Sequence, residues 1–347
     1  MESNNSRDVP TIVPTVHVED ELSSLIAMTI YLALLAIFGL VGNVLVIISV
    51  VISPQLRNTS YTFIVNLSIA DLSVNVLVVP TICYSLFHYG WPRSPFWCQW
   101  ISSMFFLTTG ISLLMLMVIA FSRNCLVSCS RTSYNRYCGW KGVAVTISVI
   151  TVGTSIVLVL IPVFTGVTVA HYDPGVHFCY LDNKDDKTFW YTSAMLIYGA
   201  LTCFLLIPFL YYRTFRTLNK SKRRLWAVRH AQSQNDHNNS DNSRRNQPVL
   251  NRQQYYMHPA EVRLTKMSAL IFMLMAICWI PLWTVHFCRL GTEVPYSVQR
   301  LGVLLVLTNS SINPYIYAWL NKRFLRAYKR ILLCRSHPQG RVSHLNL

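Results

Sequence analysis

The sequence predicts an all-α membrane protein, a bundle of seven transmembrane helices followed by a short amphipathic eighth helix. Three observations carry that prediction. Of 347 residues, 52% are hydrophobic and only 13% are charged, far less charge than soluble domains carry. Seven nearly uncharged apolar runs recur near residues 25–52, 61–88, 100–121, 142–170, 188–212, 267–285 and 301–320, each long enough to cross roughly 30 Å of hydrocarbon. With the amino terminus outside, 24 of the 30 Lys and Arg fall on the cytosolic side and 10 of the 14 acids fall on the outer side. That positive-inside bias fixes the amino terminus as extracellular and the carboxyl terminus as cytosolic. It also accounts for the net charge of +16 without a nucleic-acid partner.

The expected organisation is an extracellular tail (1–24), a membrane domain (25–320), and an amphipathic helix with a cytosolic tail (321–347). Glu19-Asp20-Glu21 precedes the first run. That leader is acidic and the run too long for a signal-peptide core, so no cleaved signal is expected. Among several Asn-x-Ser/Thr sequons, Asn4 alone falls in a free outer tail and is the candidate glycan site. The second run contains Asp71, the one carboxylate well inside a run; an intramembrane charge is costly enough to imply function.

Ten cysteines are scattered without CxxC pairing, so a metal cluster is not indicated. Cys98, at the head of the third run, and Cys179, in the second outer loop, would both meet an oxidising compartment and are expected to form a disulfide. Segment 219–259 starts basic (Lys220, Lys222, Arg223, Arg224) and becomes too polar to bury a core. It reads as a disordered cytosolic third loop with helical extensions at both ends, suited equally to anionic lipid or to a docked protein. Beyond the seventh run, Phe324, Leu325, Tyr328 and Leu332 share one helical face opposite Lys and Arg, an interfacial pattern. Cys334 at its end is a candidate palmitoylation site. Asn313-Pro314-Tyr315-Ile316-Tyr317 places a helix-bending proline beside an amide and two phenols.

Several motifs stand in a set order. They are Gly42-Asn43-Val44, Leu67-Ser68-Ile69-Ala70-Asp71, Trp91 then Cys98, Arg123 ending the third run, Cys179, Cys278-Trp279-Ile280-Pro281, and Asn313-Pro314-x-x-Tyr317. From about residue 25 to 334 the chain resembles the rhodopsin-like (class A) G-protein-coupled receptors. The resemblance implies a multi-pass plasma-membrane receptor, not an enzyme, whose partners are an extracellular ligand, a heterotrimeric G protein, arrestin and membrane lipid. It implies no organic cofactor but an allosteric sodium ion held by Asp71, Ser112, Asn309, Ser310 and Asn313. All five carry oxygen, which suits a hard cation; they equally suit hydrogen bonding among themselves and water. Implied activation residues are Arg123, Glu261, Tyr212, Trp279, Pro281, Asn313, Pro314 and Tyr317. Trp279 also has the plainer reading of a core aromatic.

The chain departs from the family pattern. The usual acid before the arginine of the third run and the aromatic after it are replaced in Ser122-Arg123-Asn124. With the acid gone, Glu261 is the remaining restraint on Arg123, and raised basal signalling is expected. The fourth run lacks the family's tryptophan, and Met275 stands where a phenylalanine is usual. In the fifth run the switch tyrosine is Tyr212 if Phe204 takes the place of the usual proline. Counting from Pro208 gives Arg216, an expensive residue to face the bundle core.

The implied ligand pocket comprises Phe105, Phe106, Thr109, Leu282, Trp283, His286, Arg289, Val303 and Leu307. Phe105 occupies the amine receptors' aspartate position and Leu307 the opsins' lysine position, so neither a protonated amine nor retinal is expected. An apolar, aromatic pocket with a polar rim suits a lipid-like or indole-like molecule. His286 is also readable as a core histidine and Arg289 as a solvated rim charge. Weaker likenesses are to the melatonin receptors' second outer loop (Tyr172 to Cys179) and, in the tail, to an orphan group with a fatty-acid receptor. The alternatives are a decoy or arrestin-biased receptor, motivated by Ser122-Arg123-Asn124, and, further off, a transporter or channel.

Overall fold

The structure of the protein is a computed structural model and describes residues 15–57, 59–88, 94–181, 185–238, 259–288 and 294–333. Asn4, Trp91, Arg289 and Cys334 lie outside the described residues. Seven long helices form the bundle: α1 (Thr15–Ile52), α2 (Thr59–Phe87), α3 (Pro95–Ser128), α4 (Trp140–Ser155 and its continuation), α5 (Asp186–Leu201 and its continuation), α6 (Pro259–Cys288) and α7 (Tyr296–Leu320). A last helix, α8 (Lys322–Leu332), turns off α7 after Asn321. Among the described residues, six helices are long and apolar enough to cross a membrane. In α7 the apolar run is broken by Thr308, Asn309, Ser310, Ser311 and Asn313, the polar groups it brings to the bundle interior. The first helix begins at Thr15, ten residues before its apolar run. The expected boundary at 24 therefore falls inside a helix, because backbone hydrogen bonding continues past the apolar stretch.

Prolines shape the bundle in two ways. In α2, α4 and α5 a π-helical turn (Val74–Val78, Ile156–Leu160, Thr202–Leu206) ends two residues before Pro80, Pro162 or Pro208. Proline lacks an N–H and crowds the carbonyl four residues back; a widened turn relieves both. In α6 and α7, Pro281 and Pro314 sit inside continuous helix instead. The carbonyl that Pro314 frees belongs to Ser310, and the Asn43 amide of α1 donates to it at 3.0 Å. Gly42 lets the helices come that close, since a Cβ there would lie 2.9 Å from Pro314.

An antiparallel hairpin, β1 (Ala170–Asp173) and β2 (Phe178–Leu181), caps the outer end with Tyr172 opposite Cys179. The Cys98–Cys179 disulfide ties it to α3, as the sequence leads one to expect. The Asp173 carboxylate accepts from the Gly175 N–H at 2.8 Å, and Arg300 Nε of α7 donates to the Gly175 carbonyl at 2.6 Å. Burial holds the Tyr172 phenol of this hairpin above its ordinary range. Asp185 caps α5 by accepting from the Thr188 N–H at 2.8 Å. That backbone bond is the main reason its carboxyl stays below the usual range.

The core is two stacked apolar clusters, an outer one around Phe105, Val303 and Leu307 and an inner one around Met115, Tyr211 and Tyr317. α8 joins the inner cluster. Phe324 is fully buried between Tyr61 (ring centroids 5.6 Å) and Tyr317 (5.4 Å). Phe324 and Tyr328 therefore face the bundle, and Leu325 and Leu332 are the exposed members of the expected interfacial face. α5 continues to Asn238 and α6 starts at Pro259, so helix fills the first half of segment 219–259.

Candidate functional site

The polar groups picked from the sequence converge at three levels along the bundle. In the middle, α2 presents Asp71 with no exposure at all. Ser112 of α3 donates to its Oδ1 at 3.2 Å, and Asn313 of α7 to its Oδ2 at 2.8 Å. The Ser310 hydroxyl faces the same carboxylate. Asn309 is also buried on α7, and among the described residues neither its Oδ1 nor that of Asn313 has a hydrogen-bond partner. A carboxylate, two hydroxyls and two orphaned amide oxygens are the donor set of a small hard cation. The neighbouring Asn75, missed in the sequence, accepts from Ser311 at 2.8 Å and extends this layer.

At the inner level Arg123 is almost wholly buried, and its guanidinium pairs with the Glu261 carboxylate, joining α3 to α6. Ser122 is buried beside it and brings no charge. Asn124, flagged in the sequence only as a departure, donates to the Thr214 hydroxyl at 3.3 Å and the Leu210 carbonyl at 3.4 Å. It clamps α3 to α5. The tyrosine facing this level is Tyr211, 5% exposed and stacked 6.1 Å from Phe272 of α6. Tyr212 is 62% exposed and Arg216 also points outward, so neither takes the expected switch position. The count from Phe204 to Tyr212 passes through the π turn, which breaks α-helical facing. Tyr317 is buried against Phe324, and its hydroxyl lacks a hydrogen-bond partner among the described residues.

At the outer level Phe178 of the hairpin descends onto Phe105 (5.4 Å), which stacks 6.5 Å from Trp279. Trp279 packs against both core clusters, and Met275 lies in the inner one. A small cavity of about 40 Å³ is lined by Phe105, Phe106, Leu282 and His286 with Tyr180, Thr192 and Gln299. His286 Nε2 lies 3.0 Å from the Ser193 hydroxyl, and its ring stacks on Phe189. Thr109 and Trp283 line a different, larger cavity of about 400 Å³ between α3, α4 and α5. Val303 and Leu307 are packed into the outer core. The expected pocket is thus divided in two. Ser193, Thr192 and Gln299 had no sequence signature, because isolated hydroxyls and amides in apolar runs are common.

Comparison with known proteins agrees with this geometry. Melatonin receptor type 1B of Mus musculus is 26% identical over 311 residues, 88% of this chain and 77% of that protein. Melatonin receptor type 1C of Gallus gallus is 26% identical over 309 residues, 87% and 81% respectively. A crystal structure of squid rhodopsin superposes with a TM-score of 0.72 at 19% identity, over 91% of this chain and 89% of that one; it bears on the fold alone. Residues 42–317 match the family described as 7 transmembrane receptor (rhodopsin family), and the chain belongs to it.

Proposed function

We propose that this receptor takes a non-amine small molecule from the extracellular side and passes its binding to a heterotrimeric G protein through helix repacking. The amino terminus faces outward and the plasma membrane is its site, in keeping with the charge distribution. The ligand meets Phe105, Phe106 and His286 beneath the Phe178 hairpin, where no carboxylate waits for a cation among the described lining residues. Relatives named as melatonin receptors support a small-molecule ligand. The His286–Ser193 pair offers a donor and an acceptor to a neutral polar group. Trp279, below Phe105 and two residues before Pro281, carries the change inward.

The observation that supports coupling best is the buried Arg123–Glu261 pair. It holds the inner ends of α3 and α6 together, and opening that end exposes the buried Arg123 and Tyr211 beside the already exposed basic start of segment 219–259. With serine at 122, Glu261 is the one carboxylate paired with Arg123 among the described residues, so a single pair sets the resting state. The test is nucleotide exchange on purified G protein without ligand. Glu261→Ala is expected to raise the basal rate about 5-fold or more, the scale of a 1–3 kcal/mol coupling. Ser122→Asp, which adds an acceptor beside Arg123, lowers it. No change in either variant removes the pair from the mechanism. No ligand-independent or ligand-dependent exchange on any G protein would favour the decoy or arrestin-biased reading.

Asp71, Ser112, Asn309, Ser310 and Asn313 would hold a sodium ion, whose charge would offset the buried carboxylate and tie α2, α3 and α7 together. Glycosylation at Asn4 and palmitoylation at Cys334 belong to the same proposal, as membrane-receptor modifications on the outer tail and beside α8.

A further inference from the structure

The cavity of about 400 Å³ between α3, α4 and α5 is unlike the outer pocket in shape, chemistry and access. Its lining runs from Phe106 to Leu114 on α3 and from Val149 to Leu158 on α4. Nine residues of helix rise make it about 13 Å tall along the bundle axis. No charged side chain lines it. Its two threonines spend their hydroxyls on their own helices, Thr109 on the Phe105 carbonyl and Thr154 on the Ile150 carbonyl, both at 2.6 Å. Water has almost nothing to bond there.

Three glycines, Gly110, Gly153 and Gly199, line the walls. A Cβ added at Gly153 would meet nothing within 4 Å, and this part of α4 carries no tryptophan to fill the space. Val149, Val157 and Tyr198 are exposed at the rim, on a surface that in a membrane is met by hydrocarbon. The inner end reaches Trp279 and Trp283, and the buried Trp283 indole N–H has no hydrogen-bond partner among the described residues. Phe106 and Leu196 form a wall shared with the outer pocket.

We propose that this cavity is a second binding site, which takes an acyl chain of a bilayer phospholipid and sets the packing of Trp279 from the membrane side. A tall, apolar, laterally open space parallel to the bilayer normal matches the way such chains lie. An unfilled one of this size would leave its lining without contacts on one side. Because Phe106 and Leu196 belong to both sites, a chain in the cavity and a ligand in the outer pocket act on the same side chains.

The test reconstitutes the full chain into phosphatidylcholine vesicles containing phosphatidylcholine with a diazirine-bearing acyl chain, followed by irradiation and peptide mapping. Residues 149–158 and 195–199 are expected to take several-fold more label than the lipid-facing stretch 30–38 of α1. Gly153→Phe should cut the cavity label several-fold and leave the α1 label unchanged. Gly199→Leu is read the same way if the first variant does not fold. Equal labelling of α1 and the cavity, or label indifferent to whichever variant folds, overturns the site. Removal of the cavity label alone by excess free decanoate would assign it to a free fatty acid and overturn the phospholipid source.

Discussion

Asn43 illustrates what a single side chain contributes in a membrane bundle. Its amide donates to the Gly39 carbonyl of its own helix and to the Ser310 carbonyl that Pro314 has released, both at 3.0 Å. With no water at this depth, that carbonyl otherwise stays unpaired. Asn43→Ala is therefore expected to cost about 1–3 kcal/mol, the penalty for an orphaned buried acceptor. Thermal unfolding of the purified receptor checks this; an unchanged midpoint would mean that α7 re-pairs its own carbonyl. Asn43 and Asp71 were legible in the sequence because polar residues stand out in apolar runs. Tyr211 was not. Two adjacent tyrosines differ only in facing, and facing after a π turn depends on how the turn relaxes.

At the scale of elements, α8 packs against the bundle through one face. Phe324 fills the space between Tyr61 and Tyr317, and Tyr328 donates to the Pro314 carbonyl at 3.2 Å. Burial of the Tyr328 phenol pushes its pKa well up, so it stays a donor at any physiological pH. Phe324→Ala is expected to cost about 3–5 kcal/mol if the site does not collapse. The visible consequence is release of α8, read as faster proteolysis between residues 320 and 333; equal rates would show that the leaflet alone holds the helix. The amphipathic pattern of α8 was plain in the sequence, yet it gave no way to divide Phe324 from Leu325. Both are apolar, and the choice between lipid and protein depends on Tyr61 and Tyr317, which come from distant elements. In the third loop the sequence likewise signals a helical extension at the start of a polar segment but not its length, and helix runs on to Asn238.

For the whole molecule, the layer around Asp71 is where α2, α3 and α7 are joined by charge and hydrogen bonds instead of by apolar packing. If sodium binds there, it stabilises the packed state by mass action. The wild-type receptor should then melt at a higher temperature in NaCl than in KCl of equal ionic strength, and Asp71→Asn should abolish the difference. A difference that survives in the variant would place the ion elsewhere. The sequence by itself determined the seven-span helical class, the disulfide and the order of the motif residues. The spans follow from the cost of exposing charge and backbone to hydrocarbon, which acts on each segment independently, and the disulfide from the oxidising compartment both cysteines would meet. Only the tertiary structure decided that Asn124 reaches Thr214, that Tyr211 is buried while Tyr212 is exposed, and that the expected pocket is two cavities separated by Phe106 and Leu196. Those outcomes depend on how helices rotate and approach one another. That is set by glycines, π turns and prolines acting together across distant parts of the chain.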